Sequence, residues 1–289
     1  SILWVAQSTL QLSKPRRASR AANRRVSTML TTTMRRALLL LLVAGGRALQ
    51  RHRPTFSSPA LDELERAVDA ALLPGVPIES LDGAARESVA VARRLRARMD
   101  SFAKNGDCRR CWLQRAHCVC DRCAPLGDLG SARRLFVVMH HKEILLAVDT
   151  AKLLLAAYPD RARLVVGGLA GQPAEAEMLA SIAAGEAIVL FPSDDSVPAS
   201  ALDGTPRDVV VLDGTWSQAR KLYKRLPVAP AVRLDAADVD ELATGAGRQL
   251  RTHPTAWREV STLSAVRRLL TALGSRTAGA LSGYQDVAD

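Results

Sequence analysis

The chain has 289 residues, 48% of them hydrophobic, with 40 Lys and Arg against 29 Asp and Glu, enough apolar material for the core of one large domain or two small ones. The formal net charge of +11 sits in the first 61 residues, which hold eleven basic side chains and no acid before Asp62, while the remainder carries 29 of each sign. A histone-like polycation is excluded, and any contact of the folded part with nucleic acid must come from local basic patches.

The leader contains one strongly apolar run, Ala37 to Gly46, of about ten residues where a membrane-spanning helix needs about 20. Arg35 and Arg36 precede it, small residues end it, and an Arg/Ser/Thr-rich stretch without acids follows. This reads as a targeting leader over residues 1–58, with Met29 or Met34 suiting a start codon. It points to organelle import, into a plastid or mitochondrion, ahead of a cytoplasmic or nuclear location; a disordered basic tail is the alternative. No stable membrane association is expected, and no protein partner can be deduced.

A helical lead-in is expected over 59–107. Leu61, Leu64, Val68 and Leu72 share one helical face, and Ala84 to Lys104 forms a second helix ending before Asn105-Gly106. Next come all five cysteines within sixteen residues: Cys108, Cys111, Cys118, Cys120 and Cys123. Thiolates this close favour a tetrahedral structural Zn²⁺ in a knuckle over 108–124. Cys108, Cys111, Cys118 and Cys120 are the expected ligands, with Cys123 and His117 as substitutes; a disulfide-stapled loop or metal-free thiols are the alternatives. Arg109, Arg110, Arg115 and Arg122 are interleaved with the cysteines and offer an RNA handle.

Over 125–289, four short β-branched runs read as buried strands, at 134–141, 162–168, 186–191 and 208–213. Helical periodicity occupies Ile144 to Ala157, Ala174 to Ala184, Trp216 to Leu226 and Val260 to Leu273. The alternation predicts an α/β sheet with ligand loops at the carboxyl ends of its strands. At one such end lies Asp213-Gly214-Thr215-Trp216. The plain reading is a tight turn with a Thr215/Gln218 capping box; the functional one is a carboxylate in the ligand crevice. Arg220, Lys221, Lys224 and Arg225 follow on one helix, as a solvated face or an RNA phosphate patch.

Taken together, Asp213 to Trp216, the cysteine array, His140-His141-Lys142-Glu143, Leu190-Phe191-Pro192-Ser193, Leu250-Arg251 and Ser261-Thr262 resemble the DTW-domain family, in family order from about Cys108 to Leu273. The resemblance implies a SPOUT-like α/β domain with a knotted C-terminal region that holds S-adenosyl-L-methionine. It also implies transfer of the 3-amino-3-carboxypropyl group to N3 of a uridine in tRNA, with release of 5′-methylthioadenosine. Asp213 is then the expected base, and Leu190, Phe191, Pro192, Thr215, Trp216, Ser261 and Thr262 the expected cofactor-binding residues. His140, Lys142 and Arg251 are expected to meet RNA phosphate or the cofactor carboxylate. The chain departs from the family pattern at His141-Lys142, at Asp149-Thr150 in place of Asn-Thr, at Trp112-Leu113 in place of Arg-Pro, and at Ser264, where a Glu would place a carboxylate in a loop facing the cofactor. The alternative functions are a related SPOUT-type RNA methyltransferase, a ribosomal-RNA aminocarboxypropyltransferase, and a catalytically silent zinc-knuckle RNA-binding protein.

Overall fold

The computed structural model describes residues 58–72, 75–146, 149–235 and 261–288. The expected leader, up to residue 57, lies outside them. The first helix, α1 (Pro59–Ala71), starts where Ser58 accepts from Leu61 N and Pro59 supplies a preset φ; α2 (Gly83–Asn105) starts at the Asp82 cap and ends where Gly106 turns left-handed at φ 67°. Both expected lead-in helices are present.

Six strands form one sheet: β1 (Ala132–His140), β2 (Ala162–Gly167), β3 (Ala187–Leu190), β4 (Val197–Pro198), β5 (Arg207–Asp213) and β6 (Ala231–Arg233). They lie in the order β2-β1-β5-β3-β6-β4, and every pairing is parallel. The chain leaves β1 toward β2 on one side and leaves β5 toward β6 on the other. The boundary between β1 and β5 is therefore a topological switch point, where a crevice opens at the carboxyl ends.

The intervening helices are α3 (Lys152–Ala157), α4 (Pro173–Ala183) and α5 (Trp216–Tyr223), followed by α6 (Thr262–Ala272) and α7 (Leu281–Ala288). Strand side chains alternate between two cores. Leu135, Val137, Met139, Val209 and Val211 pack with α1, α2, α3, α6 and the cysteine segment; Phe136, Val138, Val210 and Leu212 pack with α4 and α5. Each buried Val, Leu or Phe adds about 1.5–3 kcal/mol.

One expected helix is corrected. Among the described residues of the stretch from Ile144 to Ala157, only Lys152–Ala157 is helical; residues 141–145 form turns, and Leu145 has φ 59°. Arg98 Nη1 bonds the carbonyls of His141 (3.3 Å), Lys142 (2.7 Å) and Ile144 (2.9 Å) and so favours the turn; of these, the Ile144 carbonyl is the one that the expected helix would have used internally. Lys152 Nζ takes Leu146 O at 2.5 Å in the same way. The short strands β4 and β6 and the C-terminal α7 have no counterpart in the sequence reading. Residues 236–260, with Arg251, lie outside the described residues, and the C-terminal region expected from the resemblance falls partly there.

The start of β1 is tied to the end of α6. Ser131 N donates to Leu273 O at 2.9 Å, and Asp128 accepts from Gly130 N and Arg276 N. Gly130 has φ 65°, and a Cβ there would lie 2.2 Å from Leu273 O. Gly130→Ala is expected to destabilise the fold by at least about 1–3 kcal/mol through overpacking and left-handed strain, read as a lowered urea midpoint with an unchanged slope.

Candidate functional site

Asp213 ends β5, the strand between β1 and β3, at the level of Met139. By alternation it belongs to the face shared with Val209 and Val211, and it is 6% exposed. Thr262 Oγ1, in the first turn of α6, donates to Asp213 Oδ1 at 2.7 Å. Asp149, also 6% exposed, reaches the same place from the turn before α3. Its Oδ1 accepts Ala151 N at 2.9 Å, while its Oδ2 meets no donor among the described residues. Burial first, and the neighbouring Asp213 second, raise the Asp149 pKa well above the carboxylate range. Lys152 is 1% exposed, and burial lowers its pKa against the pull of Asp149.

Gly214 follows with φ 146°; a Cβ there would lie 2.9 Å from Gln218 Oε1 and 3.3 Å from the His140 Cβ. Only glycine lets the chain turn this tightly against β1. Thr215 N then donates to Gln218 Oε1 at 2.6 Å, and the expected capping box is present.

The aromatic residues lie on the opposite face of the same edge. Phe191 stacks on Tyr223 (centroids 4.3 Å, interplanar 16°) and on Trp216 (5.4 Å, 15°), and Trp216 is 49% exposed. The guanidinium of Arg220 lies 5.9 Å from the Trp216 ring centroid. The Phe191 amide is committed to Val232 O at 2.9 Å and its carbonyl to Ser193 N at 3.0 Å, so the Leu190 to Ser193 segment offers chiefly the Phe191 ring and the exposed Pro192. Arg220 and Lys221 are exposed on α5, which ends at Tyr223 and not at Leu226 as expected; Lys224 and Arg225 are exposed in the turn after it, with Arg225 paired to Glu87 at 3.0 Å.

His140 and His141 close the end of β1 with ring centroids 4.4 Å apart. His140 Nδ1 accepts Lys142 N at 3.2 Å, which requires a neutral imidazole protonated on Nε2. Lys142 itself is exposed. The structure thus gathers Asp213, Thr215, Trp216, Phe191, Pro192, His140, Lys142, Ser261 and Thr262 along one edge, split between two faces. Ser261 caps α6 by accepting from Ser264 N at 3.2 Å. Ser264 therefore lies in a helical first turn, its hydroxyl 2.9 Å from that of Ser261, and not in a loop; a Glu at this third helical position would have a capping-box role. Asp149 and Lys152 are the residues sequence reasoning missed; the one signal was the Asp149-Thr150 departure.

Cys108, Cys111, Cys118 and Cys120 bring their four sulfurs within 4.8 Å of one another and could hold a metal ion. The Cys108–Cys120 and Cys111–Cys118 separations, 3.7 and 3.8 Å, match the edge of about 3.8 Å of a tetrahedron with metal–sulfur bonds of about 2.3 Å. Among bare thiols, sharing a proton with Cys108 pushes Cys111 up to about 12. A divalent cation removes that competition by taking all four as thiolates. Cys123 stands apart and donates to Gly283 O at 3.6 Å. Of the interleaved arginines Arg110 is buried against Ala156 O and Arg109 is half-buried against Asp62 and Glu65, while Arg115 and Arg122 are exposed, donating to Gly106 O and Cys118 O.

Burial, then the charges of His141, Lys142, Lys221 and Arg225, lowers the His140 pKa to about 4. A histidine depressed in the folded state contributes stability that is present above its unfolded pKa, about 6.5, and lost as pH falls through the folded value. The His140 ring resonances should accordingly titrate near pH 4 in NMR, with stability declining between about pH 6.5 and 4; replacing His140 with Gln should flatten that part of the profile.

Comparison with known proteins adds a family. A family model described as DTW domain matches residues 105–287, more than half of the chain and including the cysteine array. A stretch of 94 residues is 35% identical to tRNA-uridine aminocarboxypropyltransferase 2 of Drosophila melanogaster, covering 32% of this chain and 36% of that protein. The chain thus matches about a third of the length of this curated relative. No solved structure matches. By the family match over most of the sheet domain and all its cysteines, the chain belongs to the DTW domain family.

Proposed function

We propose that the protein transfers the 3-amino-3-carboxypropyl group of S-adenosyl-L-methionine to N3 of a uridine in tRNA. The observation that carries the reading is Asp213: a buried carboxylate at the switch point, held by Thr262, on an edge whose other face carries an exposed aromatic stack and a basic helix. The family and the name of the Drosophila relative support the same chemistry.

In this reading Asp213 takes the N3 proton of uracil as N3 bonds to the carbon attached to the sulfonium. S-adenosyl-L-methionine supplies that electrophilic carbon, and the breaking C–S bond leaves its electron pair on sulfur as neutral 5′-methylthioadenosine. Burial raises the basicity of an Asp toward the operating range, and the Thr262 hydroxyl holds the carboxylate in place through Oδ1. Trp216, backed by Phe191 and Tyr223, stacks on a base, with Arg220 beside it. Lys142, Lys221, Lys224 and Arg225 meet tRNA phosphates, with the exposed Arg115 and Arg122 of the cysteine segment as a further handle. Ser261, Thr262, Leu190, Pro192 and Thr215 surround the donor in a SPOUT-like arrangement. The four cysteines hold a structural Zn²⁺ with no open position for catalysis. The leader directs the protein to an organelle.

Incubation with S-adenosyl-L-methionine and unmodified tRNA should release methylthioadenosine. S-adenosylhomocysteine would mean methyl transfer, and neither product a silent binder. Asp213→Asn keeps an oxygen for Thr262 but removes the proton acceptor, so single-turnover transfer should fall by about 10²- to 10⁴-fold with donor binding retained. Trp216→Ala should weaken tRNA or donor binding by about 1–3 kcal/mol. A parental rate with Asn at 213 would reduce the turn to a structural role.

Metal analysis should find about one zinc per chain in reduced protein. Cys123→Ser should keep it, and Cys111→Ser should lose both metal and thermal stability, because structural zinc binding is folding free energy. Zinc-free, fully stable protein would remove the metal from the account.

A further inference from the structure

We propose that Asp149 is the protonated member of a carboxyl pair, donating a hydrogen bond from Oδ2 to Asp213 and so acting as a positioning residue for that base. The proposal rests on the transfer reading above for its consequence, but on the side-chain geometry for its existence.

Asp149 Oδ1 is already committed to Ala151 N, at 2.9 Å. Its Oδ2 is buried, without a donor among the described residues, and the side chain is in hydrogen-bonding contact with Asp213. Two carboxylates cannot satisfy such a contact, because each offers only acceptors. One proton converts Oδ2 from an orphaned acceptor into a donor and removes one of two adjacent buried charges. Which oxygen carries it follows from the surroundings. Asp213 already receives the Thr262 hydroxyl at 2.7 Å, which favours its ionised form, whereas Asp149 Oδ2 receives nothing. The raised pKa of Asp149 agrees with this allocation.

Among the described residues the charged groups acting on Asp149 are Asp213 and Lys152, and Lys152 is in turn acted on by Asp107 and Cys111. Asp213 comes from β5, and Lys152, from α3, directs Nζ to Leu146 O. Lys152 favours ionisation of the pair, so it helps to keep Asp213 anionic once Asp149 holds the proton. In the transfer step the uracil N3 proton goes to Asp213, while Asp149 keeps its own proton and holds the receiving carboxylate against Thr262. Raising the pH through the Asp149 pKa removes that donor and sets two anions side by side, so transfer falls.

The test uses the full chain and three forms: parent, Asp149→Asn and Asp149→Ala. In the infrared, the parent at neutral pH should show a protonated-carboxyl stretch that Asp149→Asn lacks. Asn retains an N–H donor and an acceptor for Ala151 N. It should therefore recover most of the transfer and lose the falling limb of the pH profile at high pH, whereas Ala should cost about 10- to 100-fold, as for outer partners of a reacting group. Identical carboxyl bands in parent and Asp149→Asn would overturn the proposal, as would a folded Asn variant no more active than Ala. The infrared difference needs no substrate. If the parent released no methylthioadenosine, the transfer reading would fail, while the carboxyl band would still decide whether the pair exists.

Discussion

Two carboxyl side chains, Asp149 and Asp213, sit side by side with 6% of each exposed, and leaving a single unpaired charge so buried costs several kcal/mol. The surrounding architecture is arranged around that constraint. The first turn of α6 brings a hydroxyl to Asp213, the entry to α3 brings a backbone amide to Asp149, and β5 is held between β1 and β3 so that its last residue cannot swing into solvent. The long-range parallel pairing of β1 with β5 is what makes the two acids neighbours, since they belong to crossovers on opposite sides of the switch point.

The sheet was largely legible in the sequence because its four main strands are short apolar runs buried on both faces, a pattern that parallel sheets impose. β4 and β6, at two and three residues, are too short for any period to register. The stretch after β1 has helical spacing at Ile144, Leu145 and Leu146, but periodicity is a local signal and cannot show that a distant guanidinium will take the carbonyls. The site divided in the same way. Asp213 was readable because it stands at a strand end in a turn that requires glycine. Asp149 looked like an ordinary turn residue, since its neighbour Asp213, at the end of β5, lies far away in the chain. That Asp213 and the Phe191–Trp216–Tyr223 stack occupy different faces was implicit in strand alternation, once Val211 and Val189 were assigned to their two cores.

The cysteine segment shows how composition can mislead about orientation. Four arginines in fourteen residues suggest a surface for a polyanion, yet two of them, Arg109 and Arg110, are drawn into protein contacts and only Arg115 and Arg122 are exposed. The apolar residues between them go inward as well. Trp112 and Leu113 are buried in the same core as β1 and α1, with Trp112 held at φ 56°. The segment is a clasp that joins the N-terminal helices to the sheet, and the exposed basic side chains at the site belong to α5, the residues just after it and the turn after β1.

Arg98 gives this clasp a reach beyond the family's own boundary. The matched domain begins at residue 105, but the turn carrying His141 and Lys142 takes its shape from a guanidinium in α2 that lies before it. The loop's conformation is thus inherited from an appendage. A relative without this helix would have three carbonyls to satisfy and would be free to wind the same residues into another turn of helix. Divergence upstream of the shared domain can therefore reshape the mouth of the crevice while every residue lining it stays the same.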